Sequence, residues 1–226
     1  MNVLVIAAHP DDEVLGCGAA MARLAAEGHR VWAAILGEGI KSRRKIAEHE
    51  SANMVNALRE QAGSAAAMLG VQSLLRGDFP DNRFDTVPLL TIAQAVEDIM
   101  ALTNPDIVFT HHGGDLNIDH SLVNRATLIA ARPMVGSTVR KIYAYEVPSS
   151  TEWSFQSVGH PFSPNFFINV SDYLDVKIRA LRFYKSEIRD CPHPRSEEII
   201  RAMALRWGSV AGCGAAEAFQ LIREVY

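Results

Sequence analysis

Only three cysteines occur in 226 residues, Cys17, Cys191 and Cys213, and none stands in a Cys-x-x-Cys pair. That argues against a disulfide framework or a thiolate metal knuckle and suits free thiols in a reducing compartment. No apolar run approaches the roughly 20 residues that cross a bilayer. An excess of one charge is also missing. The 22 basic and 26 acidic residues leave a net −4, so neither nucleic acid nor an anionic membrane is expected as partner. There is no low-complexity tract, internal repeat or Pro/Ser-rich linker, which predicts one domain over residues 1–226. The first strand-like run lacks a preceding basic segment and is followed by acid where a leader would be cleaved, which predicts a cytoplasmic protein.

What is present is an ordinary globular composition, 48% apolar and 21% charged, with enough chain for a sizeable core. Residues 2–8, NVLVIAA, form a short β-branched apolar run, the pattern of a strand buried on both faces. EVLGCGAAMARLAAEG has helical spacing and stops at Gly28, a plausible C′ position. RVWAAILG reads as a second strand, followed by a helix-rich region up to AAAMLG and a strand at LLRGDF. LLTIAQAVEDIMALT, ended by the breaker Pro105, leads into the buried strand DIVFTHH; KIYAYEV and NFFINV are later strands. The tail from Asp172 reads as helical, interrupted around DCPHPRS. Alternating strands and helices predict a Rossmann-like α/β three-layer sandwich with a mainly parallel central sheet.

The stretch IAAHPDDEVLGCG, residues 6–18, puts His9, Asp11, Asp12 and Glu13 just past the first strand. In open α/β sheets ligands gather outside the carboxyl ends of the strands. A second polar cluster, THHGGDLNIDH from Thr110 to His120, follows the DIVF strand, so both clusters can face one crevice. Imidazole and carboxylate are zinc donors, and catalytic sites commonly use three protein ligands and leave a position open. His9, Asp12 and His120 could supply those three. Asp11 would then stand beside the metal, where a general base belongs, and Asp119 could orient an imidazole or the water. The plainer alternative is that Asp11 or Asp12 caps the following helix and that GDLNIDH is a surface loop. GCGAAM resembles a dinucleotide fingerprint through Gly16 and Gly18, but HPDDEVL intervenes, Met21 holds the third position, and the carboxylates would repel a pyrophosphate.

AHPDDEVLGCG followed by THHGGDLNIDH resembles the PIG-L/LmbE-like zinc-dependent N-deacetylases, which hydrolyse an acetamide on an amino sugar. REQAGSAAAMLG, PDNRFD, YEVPSSTEW, PHPRSEE and GCGAAEAFQLIRE resemble later segments of bacterial members, particularly those linked to surface-glycan amino sugars. The resemblance implies His9, Asp12 and His120 as zinc ligands and Asp11 as general base. It also implies an N-acetyl amino-sugar substrate, free or carried on a nucleotide or lipid. Iron(II) or cobalt(II) would also suit such donors. Homo-oligomerisation stays open.

Some members carry a histidine three residues before the ligand histidine; this chain has Asn117 there. Asparagine can donate to an oxyanion but cannot deliver a proton, so the general acid must lie elsewhere: Asp11 after taking a proton, or His193 in CPHPRS. His111 and His112 follow a strand end and either line the crevice or shape the turn. Arg59 could reach an anionic group, Asn82 and Arg83 could contact sugar hydroxyls, and Trp153 could stack on a sugar ring. The competing functions are a non-catalytic metal- or sugar-binding relative and a nucleotide-binding Rossmann protein.

Overall fold

A computed structural model describes residues 1–39, 48–155, 157 and 159–226. The part of the expected helix-rich region between 40 and 47 lies outside the described residues. Among the described residues seven strands, β1 (Asn2–Ala7), β2 (Arg30–Gly37), β3 (Ser73–Phe79), β4 (Ile107–His111), β5 (Lys141–Tyr145), β6 (Phe166–Asn169) and β7 (Ala216–Glu224), form one sheet in the order β3-β2-β1-β4-β5-β7-β6. β1 to β5 pair in parallel, and β7 runs antiparallel to both β5 and β6.

Among the described residues six helices cover the sheet: α1 (Asp12–Ala26), α2 (Glu48–Met68), α3 (Leu89–Thr103), α4 (Ile118–Ala130), α5 (Leu174–Leu181) and α6 (Glu197–Ala211). β1 shows why the sandwich has three layers. Its Val3, Val5 and Ala7 pack into a core with residues of α1, α2, α5 and α6, while Leu4 and Ile6 join a second core with α3 and α4. Side chains alternate across a strand, so a run apolar at every position is buried on both faces. The mainly parallel α/β sandwich expected from the pattern is the observed fold.

The expected helical tail needs correction: residues 216–224, AEAFQLIRE, form β7. Ala, Glu, Gln and Leu are good helix formers, but Tyr143, Ala144 and Tyr145 of β5 and the whole of β6 pair with this segment. Tertiary pairing overrides weak local preference. Gly28 stands where expected, with φ +83 just after α1. Among the described residues, no helix is long and apolar enough to cross a membrane.

The chain builds outward from β1 through β2 to β3 and returns to the other side of β1 at β4. The order therefore reverses between β1 and β4, and a crevice opens beyond their carboxyl ends. Both polar clusters follow these two strands.

Candidate active site

His9, Asp12 and His120 come together: one ligand atom from each lies within 4.8 Å of the others. Asp12 begins α1, and His120 stands in the first turn of α4. Asp12 Oδ2 is 3.3 Å from His9 Nδ1 and 3.2 Å from His120 Nε2; it also accepts the His9 backbone N–H at 2.9 Å. Each imidazole has a carboxylate on its far side. His9 Nε2 donates to Asp119 Oδ2 at 2.9 Å, and His120 Nδ1 lies 3.1 Å from Asp115 Oδ1, off the line of a straight hydrogen bond. Protons placed by these partners leave His9 Nδ1 and His120 Nε2 as lone pairs directed at Asp12.

The outer carboxylates are themselves held. Asp119 Oδ1 accepts the Phe84 N–H at 2.9 Å, and Asp115 accepts from the Ser150 hydroxyl, the Thr151 hydroxyl at 2.6 Å and the Asn117 N–H. Burial pushes the Asp115 carboxyl up, but His120 and these hydroxyls outweigh it and hold the group at about 2. Burial lowers His9, yet hydrogen bonds to Asp119 and Asp12 raise it to about 10. Burial likewise lowers His120, and the Asp12 charge and Asp115 raise it to about 9. The field between these groups strongly favours positive charge.

A divalent cation fits this donor set. Asp12 Oδ1 is buried with no hydrogen-bond partner among the described residues, and an unpaired buried carboxylate oxygen among imidazoles is costly unless a cation meets it. Two nitrogens and a carboxylate match a three-ligand catalytic zinc site.

Asp11 occupies the N-cap position of α1 but makes no side-chain cap hydrogen bond, so its carboxylate serves something other than the helix. Its φ is +105, a conformation that costs a non-glycine residue on the order of 1–3 kcal/mol and survives only when neighbours fix it. Glu13 Oε2 accepts the Asp11 N–H at 3.1 Å, and the Tyr184 hydroxyl holds Glu13 Oε1 at 2.5 Å. Asp11 Oδ2 accepts from Arg195 Nη1 at 2.7 Å. Burial raises the Asp11 carboxyl well above the usual range despite Arg195, with Asp12 adding to the rise.

The remaining expectations divide. Asn82, Asn117 and Trp153 line the same cleft as His9, Asp11, Asp12 and His120, a space of about 870 Å³. Asn117 caps α4, its Oδ1 accepting the Asp119 N–H and its Nδ2 donating to Asn82. Arg59 is exposed on α2, in a separate recess with Glu38 and Arg76, and Arg83 is exposed outside the cleft wall. His193 is not among the residues lining that cleft; it stands edge-on to Trp153, with Nδ1 accepting the Arg195 N–H. His111 is fully buried and takes the Ala8 N–H on Nε2, and His112 Nε2 is bound to the His160 carbonyl; both shape the strand end. Gly16 and Gly18 lie inside α1 rather than in the β1–α1 turn, which removes the dinucleotide reading. A Cβ on Gly16 would stand 2.2 Å from the Tyr145 ring.

Sequence reasoning passed over Asp115 and Arg195, and placed Glu13 at the strand end without a role. Asp115 was visible in GDLNIDH as a third acid beside the ligand histidine. Arg195, 184 residues from Asp11, left no such local signal.

The family model described as "PIG-L: GlcNAc-PI de-N-acetylase" matches residues 4–131. The chain is 33% identical to the uncharacterized deacetylase YaiS of Escherichia coli (strain K12) over 191 residues, 82% of this chain and 91% of that one. It is 30% identical to the 4-oxalmesaconate hydratase of Pseudomonas putida over 202 residues, 80% of this chain and 72% of the relative. The N,N'-diacetylchitobiose deacetylase of Pyrococcus horikoshii shares the fold with a TM-score of 0.79 at 19% identity, over 98% of this chain and 83% of that one. With more than half of its length matched by the family model, the chain belongs to the PIG-L family.

Proposed function

We propose that the protein is a zinc-dependent N-deacetylase that removes the acetyl group from an N-acetylated amino sugar, as a single catalytic domain over residues 1–226. The observation that carries the reading is the pairing of His9, Asp12 and His120 with a buried acid, Asp11, whose carboxylate makes no cap hydrogen bond. A purely structural zinc would use four protein ligands and need no adjacent base, which argues against a binding protein. The family description names a de-N-acetylase, which supports the same reaction.

His9, Asp12 and His120 would hold the ion. When bound there it supplies Lewis acidity, polarising a carbonyl oxygen and lowering the pKa of water. Asp11 takes the proton of the water that adds to the acetyl carbon. Beside the ligand triad and held by Arg195 at 2.7 Å, it can then return that proton to the leaving nitrogen. Asp119 and Asp115 keep the two imidazoles turned to Asp12. Asn82, Asn117 and Trp153 present two amides and an indole face to the sugar. We place the reaction in the cytoplasm, in the assembly of a surface glycan or related glycoconjugate.

A second reading has a specific observation behind it: the similarity to a hydratase, whose water addition would use the same base. Acetate release and loss of double-bond absorbance separate the two. The zinc-loaded protein is incubated with free, nucleotide-linked and lipid-linked N-acetylhexosamines, and in parallel with unsaturated dicarboxylates. Chelator-sensitive acetate from a sugar supports the deacetylase. Hydration of a dicarboxylate without acetate from any sugar replaces it.

A further inference from the structure

Addition of water to an acetamide puts a negative charge on the acetyl oxygen, and a fixed donor aimed at it stabilises that charge beyond what a metal supplies. Of the described histidines, only His9 and His120 line the cleft, and both are turned to Asp12. Several other cleft donors are already engaged. Ser150 donates to Asp115, and Asn117 Nδ2 to Asn82. Arg189 has only its Nη1 engaged, by the carbonyls of Ser186 and Ile188, and among the described residues no hydrogen bond ties it to Asp11.

Arg195 is differently placed. Its Nη1 is on Asp11 at 2.7 Å and its Nε on Ser149 Oγ at 2.8 Å, so the guanidinium plane is fixed from two sides. The side chain keeps 21% exposure and lines the cleft together with Asp11 and Ser149. Nη2 has no hydrogen-bond partner among the described residues. Guanidinium offers five N–H donors in a rigid fork, and this fork has one arm on the base and one open.

We propose that Arg195 is the oxyanion donor of this site, its open arm facing the acetyl oxygen while its other arm aligns Asp11; the assignment rests on the deacetylase reading. As the water oxygen bonds to the acetyl carbon, its proton goes to Asp11 and the C=O π pair moves onto the oxygen that Arg195 faces. On collapse the C=O re-forms, the C–N bond breaks, and the Asp11 proton passes to the nitrogen. The products are the free amine and acetic acid, which ionises.

The test measures acetate release by zinc-loaded wild type, Arg195→Met, Arg195→Lys, Asp11→Asn and the Arg195→Met/Asp11→Asn double variant, with metal content for each. Arg195→Met should lose about 10²–10³ in kcat, the usual cost of one oxyanion donor, with KM and metal content little changed. Arg195→Lys should recover part, and added guanidinium should restore Arg195→Met but leave Asp11→Asn unmoved. In the Asp11→Asn background Arg195→Met should still slow the reaction. Trifluoroacetate, followed by ¹⁹F NMR, should bind zinc-loaded wild type more tightly than Arg195→Met by roughly tenfold, a charge-assisted hydrogen bond's worth.

A folded, zinc-loaded Arg195→Met with wild-type kcat overturns the proposal. If the double variant is no slower than Asp11→Asn, Arg195 acts only through Asp11 and the oxyanion role is overturned. If Arg195→Met does not fold, Arg195→Lys decides: wild-type kcat and trifluoroacetate affinity there overturn the need for the fork. A wild type that releases no acetate from any sugar overturns the deacetylase reading and this role with it.

Discussion

Asp119 Oδ2 accepts the His9 Nε2–H at 2.9 Å, leaving Nδ1 of the same ring 3.3 Å from Asp12. One carboxylate thus decides which nitrogen of His9 is available to a metal. Asp119→Ala should weaken metal affinity about 10–100-fold, as loss of such outer partners does. Zinc titration against a competing chelator measures it. An unchanged affinity would mean that Asp119 merely tethers Phe84.

Asp11 lies outside the ligand triad and is bound to Arg195. Asp11→Asn should therefore keep its metal while kcat falls by about 10²–10⁴, the range for loss of a general base. Metal content and turnover of the same preparation check this. Retained turnover would assign the base elsewhere.

The pH dependence has a definite sign. His9 and His120 stand at about 10 and 9 against 6.5, so their contribution to stability is full below pH 6.5 and is lost as pH rises through 9 to 10. Glu13 stands at about 7 against 4.5, burial outweighing its bond from Tyr184, and so disfavours folding increasingly from pH 4.5 to 7. Asp115, held at about 2, stabilises above its unfolded value of 3.8 and ceases to as pH falls through 2. Chelator-treated protein should therefore have its highest Tm on the acid side of neutrality and lose stability towards pH 10. Metal binding displaces the imidazole protons, so its affinity rises with pH and the loaded protein should hold its Tm into the alkaline range. Parallel Tm profiles with and without chelator would contradict this.

Gly16 tests the packing that carries the site. Tyr145 lies against α1 where a side chain would be, and its hydroxyl donates to the Ile6 carbonyl at 2.7 Å. Gly16→Ala should destabilise by about 1–3 kcal/mol, the cost of overpacking, read as a lower denaturation midpoint. A neutral effect would show that Tyr145 can move aside.

The legible parts of this protein were those written locally. β1 was readable because burial on both faces makes every position apolar, and the charged ends of β1 and β4 stood out against such runs. β7 was not. Its Glu217 is buried in an ion pair with Lys177 at 2.6 Å, so the segment lacks the apolar alternation that marks a strand, and partners far away in sequence decide it. The site divides in the same way. His9, Asp12 and His120 stood in two short motifs, whereas Arg195 reaches Asp11, 184 residues away, only through the tertiary fold. His193, flanked by prolines, drew attention in the sequence; the cleft wall instead takes its neighbour two residues on.

The most direct measurement strips the protein with chelator, returns zinc stepwise, and follows acetate release from an accepted N-acetyl amino sugar. The account predicts no release from the stripped protein and recovery that saturates at one ion per chain. It also predicts that Asp12→Ala, which removes the ligand shared by both imidazoles, recovers none at that stoichiometry. Full acetate release from the stripped protein, or full recovery in Asp12→Ala, would contradict it.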